Sequence, residues 1–307
     1  MRLLRLSLLA SLLGLAASPA GAGQVRVDVG DMKFTPQTVT LNHGDHVVWI
    51  WKDGNHSVTS GTACAGDGLF DSGVQLAAAG VSFGWKSGAQ TDVTYFCVNH
   101  CDFGMTGQLH VGADVPVADL RLSELRVDVP GGQDLIEITN HGAVVGDLGE
   151  YRLAVRSDAA VTVPLASLPV AGGGQVVIHC NATGTNTATD IYLSDLPDLP
   201  DSGSVALYVP DSAPGRTSLA DATQIIDFVQ WGRGGGANEA TAALAGLWGA
   251  GQAVPPVGPG HSLELCDFTV RAASSWAEIA VPNFGGYAHC ATPARTPTWG
   301  QLKTLYR

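Results

Sequence analysis

The chain has 307 residues, of which 14% are charged and 39 are glycine, and it carries a formal net charge of −12 at pH 7. That acidic balance argues against nucleic acid as a partner, because binding a polyanion needs an excess of Lys and Arg. Low charge density with abundant Gly suits a β-rich fold of short strands and turns.

Arg2 and Arg5 precede an apolar run from Leu6 to Ala17 that closes on Ala20-Gly21-Ala22, the pattern of a Sec-type signal peptide over residues 1–22. The run falls short of the roughly 18 residues that span a bilayer, and no later stretch reaches that length, so no membrane span is expected. Loss of the two arginines takes the charge to −14. The mature protein is expected outside the cytoplasm, in a periplasm, in the medium or at the cell surface. Its length suits two domains.

Val25, Val27 and Val29 alternate with Arg26 and Asp28, and Val39 and Leu41 with Thr38 and Thr40, the period of half-buried strands. Gly44-Asp45 breaks the run, His46 to Trp51 resumes it, and Asp53-Gly54-Asn55 is turn chemistry. Thr94 to Cys97 and Gln108 to Val111 read as further strands. Residues 24–113 thus form a first all-β domain. Gly112 to Ala118 mixes Gly, Pro and Ala without a period and reads as the linker. Beyond it, Leu135 to Ile138, Tyr151 to Val155, Gln175 to Ile178, Ser204 to Val209 and Ile225 to Val229 predict a second β-sandwich over 119–270. A short helix is expected over Glu239 to Trp248, and residues 271–307 read as a C-terminal extension with a locally basic end at Lys303 and Arg307.

The chemically informative stretch is Tyr95 to Gly107, Y-F-C-V-N-H-C-D-F-G-M-T-G. Cys97, His100 and Met105 stand at a spacing that one loop can close, with Gly104 and Gly107 giving the chain its freedom. His56, just past a strand end, is the best-placed upstream imidazole. Taken singly, Met105 is core filler, a loop His is solvated, and Cys97 in an oxidising compartment is half of a disulfide. Taken together, two imidazoles, a thiolate and a thioether are the ligand set of a mononuclear copper site for one-electron transfer. His43 and His46, beside the Gly44-Asp45 turn, read as surface residues.

Residues 25–111 resemble the plastocyanin and azurin family of cupredoxins. Besides the four candidate ligands, the resemblance rests on F-T-P at Phe34 to Pro36, G-D-x-V-x-W at Gly44 to Trp49, F-D-S-G at Phe70 to Gly73 and G-M-x-G at Gly104 to Gly107. It implies a Greek-key β-barrel, one copper ion cycling between Cu(II) and Cu(I), and an electron-carrier role with a redox protein as partner. It also implies that the edge of the second histidine, here His100, lies in an apolar surface patch to which Val98 and Phe103 contribute. Cys101 makes C-x-x-x-C with Cys97, but a binuclear copper centre would need a His where Met105 stands and a Met where Gln108 stands. Cys101 is therefore expected to pair with Cys64.

Residues from about 119 to 270 resemble the lamin-tail domain, an immunoglobulin-like sandwich, through I-E-I-T-N at Ile136 to Asn140, D-L-G-E-Y-R-L at Asp147 to Leu153, G-S-V-A-L-Y at Gly203 to Tyr208 and D-F-V-Q-W-G at Asp227 to Gly232. That resemblance implies adhesion or scaffolding rather than a reaction. His141, His179, His261 and His289 sit in no catalytic motif, so no catalysis is assigned and the protein is not read as an enzyme. Asp195, Asp198 and Asp201 read as a solvated acidic loop. Among Cys180, Cys266 and Cys290, the last two are expected to pair, with Cys180 buried. The leading function is a blue (type 1) copper electron carrier; copper delivery, and surface adhesion with an accessory copper domain, are the alternatives. Only Met32 and Met105 remain after export, so the methionine tracts of copper delivery are missing.

Overall fold

The structure is a computed structural model that describes residues 23–286 and Cys290, apart from positions 79, 113–114, 128, 130–131, 150, 156–160 and 211–218. The expected signal peptide, His289 and the basic C-terminal end lie outside the described residues.

The first half forms β1 (Gln24–Gly30), β2 (Lys33–Thr35), β3 (Thr38–Leu41), β4 (His46–Trp51), β5 (Asn55–His56), β6 (Thr59–Thr62), β7 (Ala65–Asp71), β8 (Gln75–Leu76), β9 (Ser82–Lys86), β10 (Asp92–Phe96) and β11 (Thr106–Val111). One sheet is ordered β2-β1-β4-β9 and the other β3-β11-β10-β6-β7. β1 runs parallel to β4 and β3 parallel to β11, so the chain crosses between the two sheets as well as forming hairpins within them. Val27, Val29, Val47, Trp49 and Phe83 of the first sheet meet Val39, Tyr95 and Leu109 of the second in one core. Trp49 packs edge-on to Tyr95 at a centroid distance of 5.3 Å.

The second half forms β12 (Leu120–Arg126), β13 (Leu135–Asn140), β14 (Gly146–Asp147), β15 (Arg152–Val155), β16 (Val161–Pro164), β17 (Pro169–Val170), β18 (Gln175–Cys180), β19 (Asp190–Leu193), β20 (Gly203–Tyr208), β21 (Ile225–Trp231), α1 (Glu239–Leu244), β22 (Ser262–Leu265) and β23 (Trp276–Ile279). Its main sheets are β19-β18-β13-β12-β22-β23 and β16-β15-β20-β21. The fold is all-β, with α1 the one α-helix among the described residues and shorter than the Ala-rich stretch suggests. The sheet does not stop at residue 270: β23 pairs with β22 from Ser262↔Ile279 to Leu265↔Trp276. The disulfide Cys266–Cys290 fastens the chain beyond it, and Cys180 is free and buried, both as expected.

Alternation along β4 joins the halves. Successive side chains of a strand point to opposite faces, so Val47, Trp49 and Trp51 enter the first core while Val48 and Ile50 enter the second. All six β4 residues are buried. Around this wall Gln24 N–H donates to Ala118 O at 2.9 Å, Leu120 N–H to Gln24 Oε1 at 3.0 Å, and Arg26 Nη1 stands 3.6 Å from Asp147 Oδ1. His46, expected at the surface, is instead fully buried here, because the second half covers the outer face of β4. His43 is exposed, as expected.

His46 Nε2 lies 2.7 Å from the carbonyl oxygen of Thr223, so that nitrogen carries the proton and donates. Burial first, then Lys86 and Arg271, push its pKa from 6.5 down to about 3. Folding therefore requires the neutral ring. Stability from this site is complete above pH 6.5 and falls as the pH drops toward 3, by up to about 5 kcal/mol. Thermal melting of wild type and His46→Gln from pH 7 to 4 should show the wild type losing more stability on acidification; parallel losses would contradict this.

Candidate metal centre

Three side chains converge at the end of the first half where β4, β10 and β11 emerge. His56 is delivered by the turn that follows β4. Gly54 adopts φ 69° there, and a Cβ on it would stand 2.5 Å from His56 Nε2, so only glycine admits the ring. Trp51 Nε1–H donates to His56 O at 3.2 Å and anchors the turn to the core.

Cys97 follows the last residue of β10, and the loop to β11 closes on itself. Cys97 N–H donates to Met105 O at 3.1 Å, His100 N–H to Cys97 O at 3.1 Å, and Met105 N–H to His100 O at 3.1 Å. A 3₁₀ turn over Cys101–Phe103 ends at Gly104, whose φ of 86° needs no Cβ penalty. The disulfide Cys64–Cys101, with a Cα–Cα distance of 5.7 Å, ties this turn to the β6–β7 hairpin, as expected from the sequence.

Within this frame His56 Nδ1 and His100 Nδ1 are 3.1 Å apart, and Cys97 Sγ lies 3.8 Å from the first and 3.4 Å from the second. Among the described residues this is the one His, Cys, Asp or Glu group whose donors are gathered for a metal ion. Cys97 is a free, fully buried thiol in a protein that closes its other loop cysteines into bridges. Its sulfur accepts the Ser57 N–H at 3.4 Å. Burial first, then the neighbouring His100, hold the His56 imidazole below its ordinary pKa, so the ring is neutral with a lone pair to offer. Met105 is buried and joined to both Cys97 and His100 through its backbone. Imidazole nitrogen, thiolate and thioether are soft and borderline donors, the chemistry copper prefers. The fit is good.

All four sequence-predicted residues therefore sit at one end of one sandwich. Ser57 was missed; its signal is the N-H-S triplet, which sets a backbone N–H beside the ligand loop. The other histidines lie elsewhere: His141 stacks on Phe268, His179 sits between Gln133 and Asp190, and His261 pairs with Glu278. Around the centre Phe103, Leu76 and Val98 are 76, 72 and 53% exposed.

Residues 22–112 match the copper binding proteins of the plastocyanin/azurin family. That defines the segment as copper-binding, and copper is its cofactor. A mutant plastocyanin of fern is 24% identical, over 28% of this chain and 99% of that one, with a TM-score of 0.25. Pseudoazurin from Methylobacterium extorquens AM1 is 23% identical over 30% of this chain and 76% of its own, with a TM-score of 0.25. A reduced Cu(I) form of an amicyanin mutant is 22% identical over 31% and 89%, also with a TM-score of 0.25. No curated protein matches the chain.

The Cys64–Cys101 bridge spans 37 residues, and closing a loop of that size stabilises by about 3 to 4 kcal/mol. Non-reducing peptide mapping should recover Cys64 joined to Cys101, with Cys97 alkylated only after unfolding. Denaturant titration of Cys64→Ala/Cys101→Ala should show a loss of that size.

Proposed function

We propose that the protein is an exported blue (type 1) copper protein that carries single electrons, with one copper ion held by His56, Cys97, His100 and Met105. The observation that carries this reading is the approach of His56 Nδ1, Cys97 Sγ and His100 Nδ1 to within 4.8 Å of one another. Bound copper supplies a one-electron couple between Cu(II) and Cu(I). His56 and His100 would hold it through the Nδ1 atoms that face each other, and Cys97 would supply the anionic donor. The loop's own backbone hydrogen bonds hold these donors together, which would limit rearrangement during electron transfer. Met105, buried and tied to the same loop, would add an apolar thioether as a fourth protein donor, and a full set of protein donors favours a carrier over an enzyme.

His100 is the partly exposed member of the set, flanked by Val98 and Phe103, with Leu76 opposite Asn55, the neighbour of His56, in the β5–β8 pairing. An apolar rim around one imidazole suits a close, dry contact with a redox protein. Asp102 in the same turn departs from a wholly apolar rim. Export is supported by the leader pattern and by the two disulfides, which persist in oxidising compartments. For the second half, a lamin-tail-like sandwich packed on the outer face of β4 is read as a rigid mount that leaves the His100 end free.

Copper-loaded protein should absorb intensely in the visible through thiolate-to-Cu(II) charge transfer, and Cys97→Ser should abolish the band. A colourless wild-type complex would overturn the assignment. Phe103→Glu should slow electron exchange between like molecules or with a partner by several-fold while leaving the visible spectrum unchanged. Stopped-flow rates and spectra on the same samples check this, and an unchanged rate would move the exit away from His100.

A further inference from the structure

The two nitrogens of His56 face different surroundings. Nδ1 points to His100 and Cys97, whereas Nε2 stands 3.8 Å from the carboxylate oxygen Asp53 Oδ1. The His56 side chain is 3% exposed and that of Asp53 60%, so the carboxylate sits between a buried ring and water. Its position is built. Asp31 N–H donates to Asp53 Oδ1 at 2.8 Å from the turn between β1 and β2. Asp31 holds φ 51° in that turn, and Lys33 Nζ lies 2.7 Å from its carboxylate. A Cβ at Gly30 would stand 2.9 Å from Asp53 Oδ2, and one at Gly54 2.5 Å from His56 Nε2. Two glycines thus let a carboxylate and an imidazole face each other across a turn.

We propose that Asp53 is a positioning residue for His56, keeping the ring proton on Nε2 and the Nδ1 lone pair toward Cys97, and that its negative charge lowers the reduction potential of the centre. This rests on the copper reading above. An outer partner that fixes a ligand histidine's tautomer and raises its basicity is a general device of metal sites. The electrostatic part follows from sign. Reduction removes one positive charge from the centre, and a fixed anion on the far side of a ligand ring favours the more positive state. At 3.8 Å the contact is longer than a hydrogen bond, so the carboxylate acts on the neutral ring through its charge, and because it is more than half exposed that effect is screened by salt.

Asp53→Asn keeps an oxygen to accept the Asp31 N–H and removes only the charge, so it tests the role without undoing the turn. In the full-length copper protein the variant should keep the visible band and raise the reduction potential. The expected change is up to tenfold in the ratio of Cu(II) to Cu(I) affinity, which is 59 mV for a one-electron couple. That difference from wild type should shrink as ionic strength rises. A second readout needs no metal: nitrogen-15 chemical shifts of metal-free protein at neutral pH should show the Nε2–H tautomer of His56 dominant in wild type and less so in Asp53→Asn. An unchanged potential together with an unchanged tautomer would overturn the role of Asp53. A tautomer that responds to the substitution, in a protein whose copper complex is colourless, would uphold the contact and sink the copper reading alone.

Discussion

A strand with no solvent side, β4, is the constraint on which the rest of the molecule depends. Val47, Trp49 and Trp51 fill one core, Val48 and Ile50 the other, and His46 is sealed between them with a single carbonyl as partner. A polar ring in that place is costly unless it stays neutral and bonded. Because the strand is held on both faces, the turn that leaves it is held too, and that turn delivers His56. The register of β1 against β4, from Gln24↔His46 to Val29↔Trp51, brings the β1–β2 turn alongside the same end. The mount and the centre are one construction.

The second support is local. Three backbone hydrogen bonds inside the segment from Cys97 to Met105 and one disulfide at its tip fix the loop. The two imidazoles and the sulfur meet at the mouth of a rigid sandwich instead of on a free loop. Holding donors in position would suit the proposed copper centre, since two oxidation states with different geometric preferences would then share one protein shape.

The ligand loop was legible in the sequence because its chemistry is local: Cys97, His100 and Met105 are three residues of unlike type at close spacing, and only His56 had to be found at a distance. The alternation of Val25 to Val29 and of Val39 to Leu41 was legible for the same reason. β12 was not, since L-R-L-S-E-L-R mixes charge into a strand that bulges between Leu122 and Glu124. β22 is short and carries Glu264 on a buried strand, and β23 lies past the point where the apolar pattern fades. His46 was misread because its burial comes from a partner surface more than a hundred residues away in the chain, which no local pattern encodes. The contact between Asp53 and His56 was hidden likewise: spacing places both in one turn, but only the fold shows which ring nitrogen turns outward.

The arrangement of sulfurs has a consequence for how such a protein matures. Cys97 and Cys101 are close enough in sequence to pair with each other, and such a pair would destroy the centre. In the folded chain Cys97 is wholly enclosed, whereas Cys64 is exposed and Cys101 lies at the edge of solvent. An oxidant meeting the folded molecule therefore reaches two sulfurs and is denied the third. The same enclosure that keeps Cys97 out of a bridge thus separates one thiol from two by accessibility alone.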